Sequence, residues 1–275
     1  MSGDGRLWGG SLHSTFRLLP EPAGHLAPFL ESHGLHKDAV LAKLPYDATR
    51  AGAAAGSTPD PRRYRDSRQV YQTVGLLYED NDGNVRVTDI GVATLRWLDI
   101  VNEKNALILG RHAAYALSAC QLRHPGRAGE KYDDDVVVFP FAYVWRAMLA
   151  LDDRISSNEL NRAIFRVTSE DELMDAIERI AEARESGDES VLGDETITGN
   201  SKNDRIIPWI ALASFGWTLF PDKRASGSEY YELPARSRDL IAEAAAIRRR
   251  HIEFDNISEY VGHISRAAAL PPDMR

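Results

Sequence analysis

The chain has 275 residues, 41 acidic against 33 basic, a net charge of -8 and hydrophobic residues at 43%, enough for a buried core and too many for disorder throughout. The single cysteine, Cys120, excludes an internal disulfide or a multi-thiolate metal site and fits a reducing cytoplasm. No stretch approaches the roughly 18 apolar residues of a membrane span, and MSGDGRLWGG lacks the basic-then-apolar order of a signal peptide, so neither a membrane partner nor export is expected.

The charge is unevenly placed. Between Asp152 and Glu195 stand 14 acidic residues against five arginines and no lysine, a local net of -9 that leaves +1 for the remainder. Residues 50–75 carry Arg50, Arg62, Arg63, Arg65 and Arg68 against Asp60 and Asp66, a net of +3. The acidic total argues against indiscriminate polyanion binding, but phosphate attraction acts over about a Debye length, so a local basic surface still counts.

In chain order, the Ala/Gly/Ser/Pro-rich stretch 50–61 reads as a loop, and Pro61 suits the first turn of a helix. That helix, RRYRDSRQVYQTVGLL, turns Tyr64, Val70, Tyr71 and Val74 inward and its arginines outward, and ends near Gly75. Next come a short apolar run, an Asn81-Asp82-Gly83-Asn84 turn and Val85-Arg86-Val87-Thr88 alternating at period two, which together predict a β-hairpin. Thr88 or Asp89 caps a helix through Leu98, and a second apolar helix is expected from Ala106 to Leu122. The polar segment 124–135 is the candidate linker, placing domains at 1–123 and 136–275. Beyond it, FPFAYVWRAMLALDD predicts a buried helix, and capping-box patterns at Ser156 and Ser169 open helices 157–165 and 170–184, the latter with Leu173, Ile177 and Ile180 on one face. A polar loop at 185–204, a helix at 206–219, a short strand near Tyr230–Leu233 and a final helix from about Ala235 to Phe254, including Arg248, Arg249 and Arg250, complete the order. The fold class is mainly α with short β-hairpins, α+β.

Residues 62–98, and above all GLLYEDNDGNVRVTDIG, resemble the second half of a winged-helix domain: an arginine-bearing helix, a Gly-Leu-aromatic strand, a wing and a Thr-x-x-Gly turn. The second half of the chain is similar in order. Together they resemble the tandem winged-helix modules with which some type II restriction endonucleases and related phage-defence proteins recognise DNA. The resemblance implies two winged-helix-like domains, a recognition helix in the major groove and flanking elements on phosphates. Arginine pairs bidentately with guanine and also with phosphate, so the expected DNA-binding residues are Arg62, Arg63, Tyr64, Arg65 and Arg68 on the helix, Arg86 on the wing, and Arg248 and Arg249. The plainer alternative is an exposed amphipathic helix whose arginines pair with the acidic second half.

Other signals lead away from catalysis. A restriction-type nuclease core needs clustered carboxylates with a Glu-x-Lys; Pro59-Asp60 and Pro221-Asp222 occur, but Glu-x-Lys does not. Asp133-Asp134-Asp135 reads as solvated linker, His33 and His36 as surface histidines without a complete ligand set, and neither a Gly-x-Ser-x-Gly elbow nor a phosphate loop is present. Trp209, Phe215, Trp217, Phe220, Trp145 and Phe141 read as core aromatics. The expectation is a non-enzymatic protein without cofactor that reads the sequence or base modification of double-stranded DNA, recruiting a nuclease or other effector subunit. A dimeric winged-helix transcriptional regulator, a protein-interaction adaptor without DNA contact and an atypical nuclease are the alternatives.

Overall fold

The structure, a computed structural model, describes residues 27–42, 68–69, 71–98, 103–127, 132–193, 230–233 and 235–268. It is mainly helical with a few short antiparallel strand pairs. The proposed start of the arginine helix, the helix at 206–219 and its aromatics lie outside the described residues.

The first unit opens with a helical turn at 27–30, a short extended stretch and helix α1 (Lys37–Leu41). Residues 68–69 and 71–73 are helical and end at Gly75, whose φ of 77° favours glycine. Strands β1 (Leu77–Glu79) and β2 (Val85–Val87) form the expected hairpin, pairing Leu77 with Val87 and Glu79 with Val85. Helix α2 (Asp89–Leu98) follows at once. Thr88 caps it by accepting from Gly91 N at 3.1 Å, while donating its own hydroxyl to Gly75 O at 2.7 Å. Gly91 is required there: a Cβ would sit 2.2 Å from the Leu76 carbonyl oxygen. The Thr-x-x-Gly pattern is therefore the device that presses the helix start against the hairpin base.

Residues 34–37, which the sequence reading left aside, add a third line to this sheet. Gly34 N donates to Val85 O at 2.7 Å, Val85 N to Leu35 O at 2.9 Å and Lys37 N to Gly83 O at 2.9 Å. His33 and His36 are structural: His33 Nδ1 accepts from Val87 N at 3.1 Å, and His36 Nδ1 caps α1.

Helix α3 (Glu103–Ala119) leads to the segment expected as linker. Its described ends are tied down. His124 is buried and stacks on Tyr260 with ring centroids 4.0 Å apart, and Leu122 N donates to Val138 O at 2.9 Å. Helix α4 (Pro140–Ala150) starts on proline and is apolar around most of its circumference, so it lies inside the molecule with Trp145 and Phe141 in the core, as the sequence implied. After it, Asp152 and Asp153 both adopt left-handed conformations, with φ of 58° and 61°, and reverse the chain into β3 (Arg154–Ser156). This strand was not anticipated. It pairs antiparallel with β4 (Tyr230–Glu232), Ile155 opposite Tyr231.

The expected capping box opens α5 (Ser157–Arg162), shorter than the sequence suggested because the chain tightens into a 3-10 turn at Ile164–Arg166. Helix α6 (Glu170–Ser186) is capped by Ser169 and closed by Gly187 in the left-handed region. It buries Leu173, Ala176, Ile177, Ile180 and Ala183 on one stripe. Past it, part of the expected polar loop is ordered: Asp188 caps a 3-10 turn at Glu189–Leu192, and Arg162 donates to Gly193 O at 2.6 Å.

The helix expected from about Ala235 to Phe254 is shorter, and a further helix follows beyond it. Helix α7 (Arg238–Ala246) stops where the Arg146 guanidinium takes Ala245 O at 2.7 Å and Ile247 O at 3.1 Å. Residues 247–254 belong to no helix or strand, and Gln121 bonds both the N–H and the C=O of Ile252, at 2.8 and 3.3 Å. Asn256 then opens α8 (Ile257–Ala268), accepting from Glu259 N at 3.0 Å. Helix α8 returns to pack on α3, α2 and β1, while α7 packs on α3 and α4, so one core runs from Phe29 to Ala268.

Candidate nucleic-acid interface

The hairpin tip is shaped by one carboxylate. Asp80 accepts from Asn84 N at 2.8 Å, Asp82 N at 3.1 Å and Arg86 Nε at 2.7 Å. The Asn84 amide first, and Arg86 after it, hold this acid below the usual carboxylate range. Gly83, at φ 79°, completes the turn against the His36 imidazole; a Cβ would lie 3.0 Å from His36 Nε2. Arg86 is thus braced through Nε, and its two terminal amines have no partner among the described residues. An arginine held in this way presents its remaining donors at small cost in side-chain entropy.

The other expected contact residues are placed differently. Arg68 is ion-paired with Glu79 on β1 at 2.5 Å, and Lys37 approaches the same carboxylate at 3.6 Å. Arg248 is paired with Glu170, which also holds Arg146. Arg249 is half-buried and donates to Ser118 Oγ at 3.0 Å; burial lowers its guanidinium from the ordinary value. Along this segment Arg248 and Arg250 are exposed, and Arg249 and His251 are part-buried. Arg62, Arg63, Tyr64 and Arg65 lie outside the described residues. The structure therefore brings Arg68 and Arg86 to one hairpin and sets Arg248 and Arg249 on a separate segment. Sequence reasoning missed Lys37 at this surface; the signal available was the His36-Lys37-Asp38 helix start.

Among the described residues, no group of three or more His, Cys, Asp or Glu is arranged to hold a metal ion. Cys120 is buried, and burial pushes its thiol up to about 12, which keeps it protonated and unreactive. No described helix is long and apolar enough to cross a membrane. No family model matches this chain, and no curated protein matches it in sequence.

Proposed function

We propose that the protein binds duplex DNA through a winged-helix unit spanning residues 27–98. It reads sequence or base modification as the recognition component of a restriction or phage-defence system whose cutting is done by another subunit. The observation that carries this reading is the sheet at 34–37 and 77–87: a short edge before α1 pairs with β2, and the hairpin follows the helical residues 68–69 and 71–73, with four arginines in seven sequence positions at 62–68. Helix, edge, helix, helix, strand, wing, strand is the order a winged helix requires. A second such unit in 140–246 belongs to the same proposal, since helix, strand, capped helix, helix and returning strand recur there.

The experiment is a fluorescence-anisotropy titration of the full chain with a random duplex pool at several salt concentrations, followed by sequencing of the bound fraction. Binding that falls steeply with salt, with an enriched motif or modified base, supports the reading. Salt-insensitive or absent binding sinks it. A protein-interaction adaptor is the second reading. It is favoured by Arg68 and Arg86 already having carboxylate partners on the hairpin.

A further inference from the structure

The two oxygens of the Asp80 carboxylate have separate partners. Oδ1 accepts from Asp82 N at 3.1 Å and from Asn84 N at 2.8 Å, which closes the turn, while Oδ2 accepts from Arg86 Nε at 2.7 Å. The point of attachment on the arginine matters. Arg68 meets Glu79 through Nη1, Arg123 spends both terminal nitrogens on Asp134 and Glu253, and Arg184 spends both of its own on backbone carbonyls and Glu159. Arg86 is held by its stem nitrogen instead, and no group of the described residues takes Nη1 or Nη2. Its side chain is 40% exposed against 19% for Asp80, so the carboxylate is the enclosed partner and the fork stays open to solvent.

The sheet surface beside the fork is open as well. Tyr78 stands opposite Arg86 across the β1–β2 ladder, and the bridge between His36 and Asn84 sets Gly34 opposite Arg86 on the other side. Gly34 contributes no side chain, and a Cβ there would meet nothing within 4 Å.

We propose that Asp80 is a positioning residue for DNA binding: by holding Nε it aims the free end of Arg86 at one backbone phosphate, and so raises duplex affinity although it is itself an anion. This rests on the DNA-binding reading above. A guanidinium fork matches a phosphate through two parallel N–H···O bonds, and a fork whose stem is already fixed loses fewer rotamers when it binds. Immobilising one such side chain is worth roughly two- to tenfold in affinity. The opposing effect is repulsion between Asp80 and the phosphate. It is reduced by the guanidinium between them and screened by salt, whereas the partly enclosed brace is screened much less.

Asp80→Asn separates the two oxygens. The amide oxygen still accepts from Asp82 N and Asn84 N, and asparagine suits such a turn, so the hairpin is kept. The NH2 that replaces Oδ2 faces Arg86 Nε donor to donor, so the brace is lost. A negative charge is lost with it. Positioning and plain electrostatics therefore give opposite signs, the first weakening duplex binding and the second tightening it.

The test is a double-mutant cycle in the full chain, Asp80→Asn and Arg86→Ala singly and together, read by anisotropy with a labelled random duplex pool at physiological salt. Asp80→Asn is expected to weaken binding roughly two- to tenfold when Arg86 is present. In the Arg86→Ala background no fork is left to aim, and the same change is expected to tighten binding slightly. NMR of the Arg86 Nε–H in the free protein reads the brace itself, whose proton is expected to exchange with water more slowly in the wild type than in Asp80→Asn. Equal exchange in the two overturns the brace and the proposal with it. Equal weakening in both backgrounds overturns the proposal, since Asp80 is then a turn former only, and tightening in both does so because the carboxylate then merely repels DNA. Wild-type binding by Arg86→Ala overturns it and leaves the DNA reading standing on the arginines ahead of the hairpin. Absence of duplex binding by the wild type overturns both.

Discussion

The two units share a layout and differ in sign. In 27–98 a short edge precedes a capped helix, a further helical segment follows, and β2 returns antiparallel to the edge; in 140–246, β3, α5, α6 and β4 repeat that order. The described helical residues of the first unit include Arg68, and the sequence sets Arg62, Arg63 and Arg65 ahead of it. Its counterpart α6 exposes Asp171, Glu172, Asp175, Glu178, Glu182 and Glu185. A helix carrying that face is repelled by a phosphate backbone, so the proposed duplex contact rests first on the arginine-bearing unit. The junctions differ as well. The first unit passes from β2 into α2 through the Thr88 and Gly91 lock, whereas the second passes from β4 to α7 through a 3-10 turn at Ala235–Ser237.

The largest effect is expected where the second unit depends on one ion pair. Arg184 donates to both oxygens of Glu159, at 2.7 and 3.0 Å, and to the carbonyls of Leu151 and Arg154, at 2.8 and 2.9 Å. It thereby clamps the left-handed Asp152-Asp153 turn to the capping box. Arg184→Ala leaves the nearly buried Glu159 without its cation, and such a loss costs about 3–5 kcal/mol. Urea unfolding followed by Trp fluorescence reads it. A cost under about 1 kcal/mol, the range of an exposed pair, would show that the clamp is solvated.

A smaller loss is expected at the first unit's junction. In Gly91→Ala the new methyl meets the Leu76 carbonyl oxygen at 2.2 Å and Val87 Cγ1 at 2.6 Å, and neither is the far end of a flexible side chain. Overpacking of this kind costs about 1–3 kcal/mol. The change should also weaken duplex binding, because the hairpin base moves; unaltered stability and binding would show that the junction does not position the wing.

What was legible in the sequence follows from how local each cause is. The β1–β2 hairpin, the capping box at Ser156 and the Ser169 cap were readable because their determinants lie within a few residues of one another: alternating apolar positions around an Asn/Asp/Gly turn, Ser156 with Glu159, and Ser169 with Glu172, whose carboxylate turns to Thr168 instead of closing a second box. The edge at 34–37 was not readable, since its partner Val85 is remote in sequence and the edge itself has no strand pattern. The same holds for β3, three residues long and paired with Tyr230–Glu232. The final helix was read too long because Ala and Arg favour helix, while its stop comes from Arg146, 99 residues before Ala245. At the candidate interface the residue types were legible and the pairing was not: nothing local says that Arg68 takes Glu79 or that Arg86 takes Asp80.

The arginines sharpen the comparison further. On the helix that the sequence predicts from Pro61, spacing three would put Arg62 and Arg65 on one face and turn Arg63 by about 100 degrees. Arg62→Ala and Arg65→Ala are expected to relax preference at a base pair, at about 1–3 kcal/mol each, whereas Arg63→Ala and Arg86→Ala weaken all duplexes alike and lower the salt slope by about one. Competition titrations with matched and mismatched duplexes separate the two outcomes. Unchanged affinity and selectivity in the Arg62/Arg65 double alanine variant would remove the recognition helix and favour the adaptor.

The smallest effect is expected on the acidic helix, and it decides whether the second unit meets DNA. Glu178 and Glu182 are exposed, lie one turn apart on α6, and are remote from the stripe that packs in the core. Reversing both to lysine changes the local charge by four without touching a buried group, so stability should shift by no more than about 0.5 kcal/mol per site. Over distances beyond a Debye length, about 8 Å at physiological salt, the reversal is screened from a duplex held at the first unit. Affinity should then rise by less than about threefold at that salt and more at low salt, with the salt slope nearly unchanged. If α6 instead lies along the DNA, each lysine becomes a phosphate contact, and the slope steepens by about one per residue. A steepening of that size in Glu178→Lys/Glu182→Lys would mean that the second unit sits against the duplex despite its acidic face, and the division of labour between the two units would have to be given up.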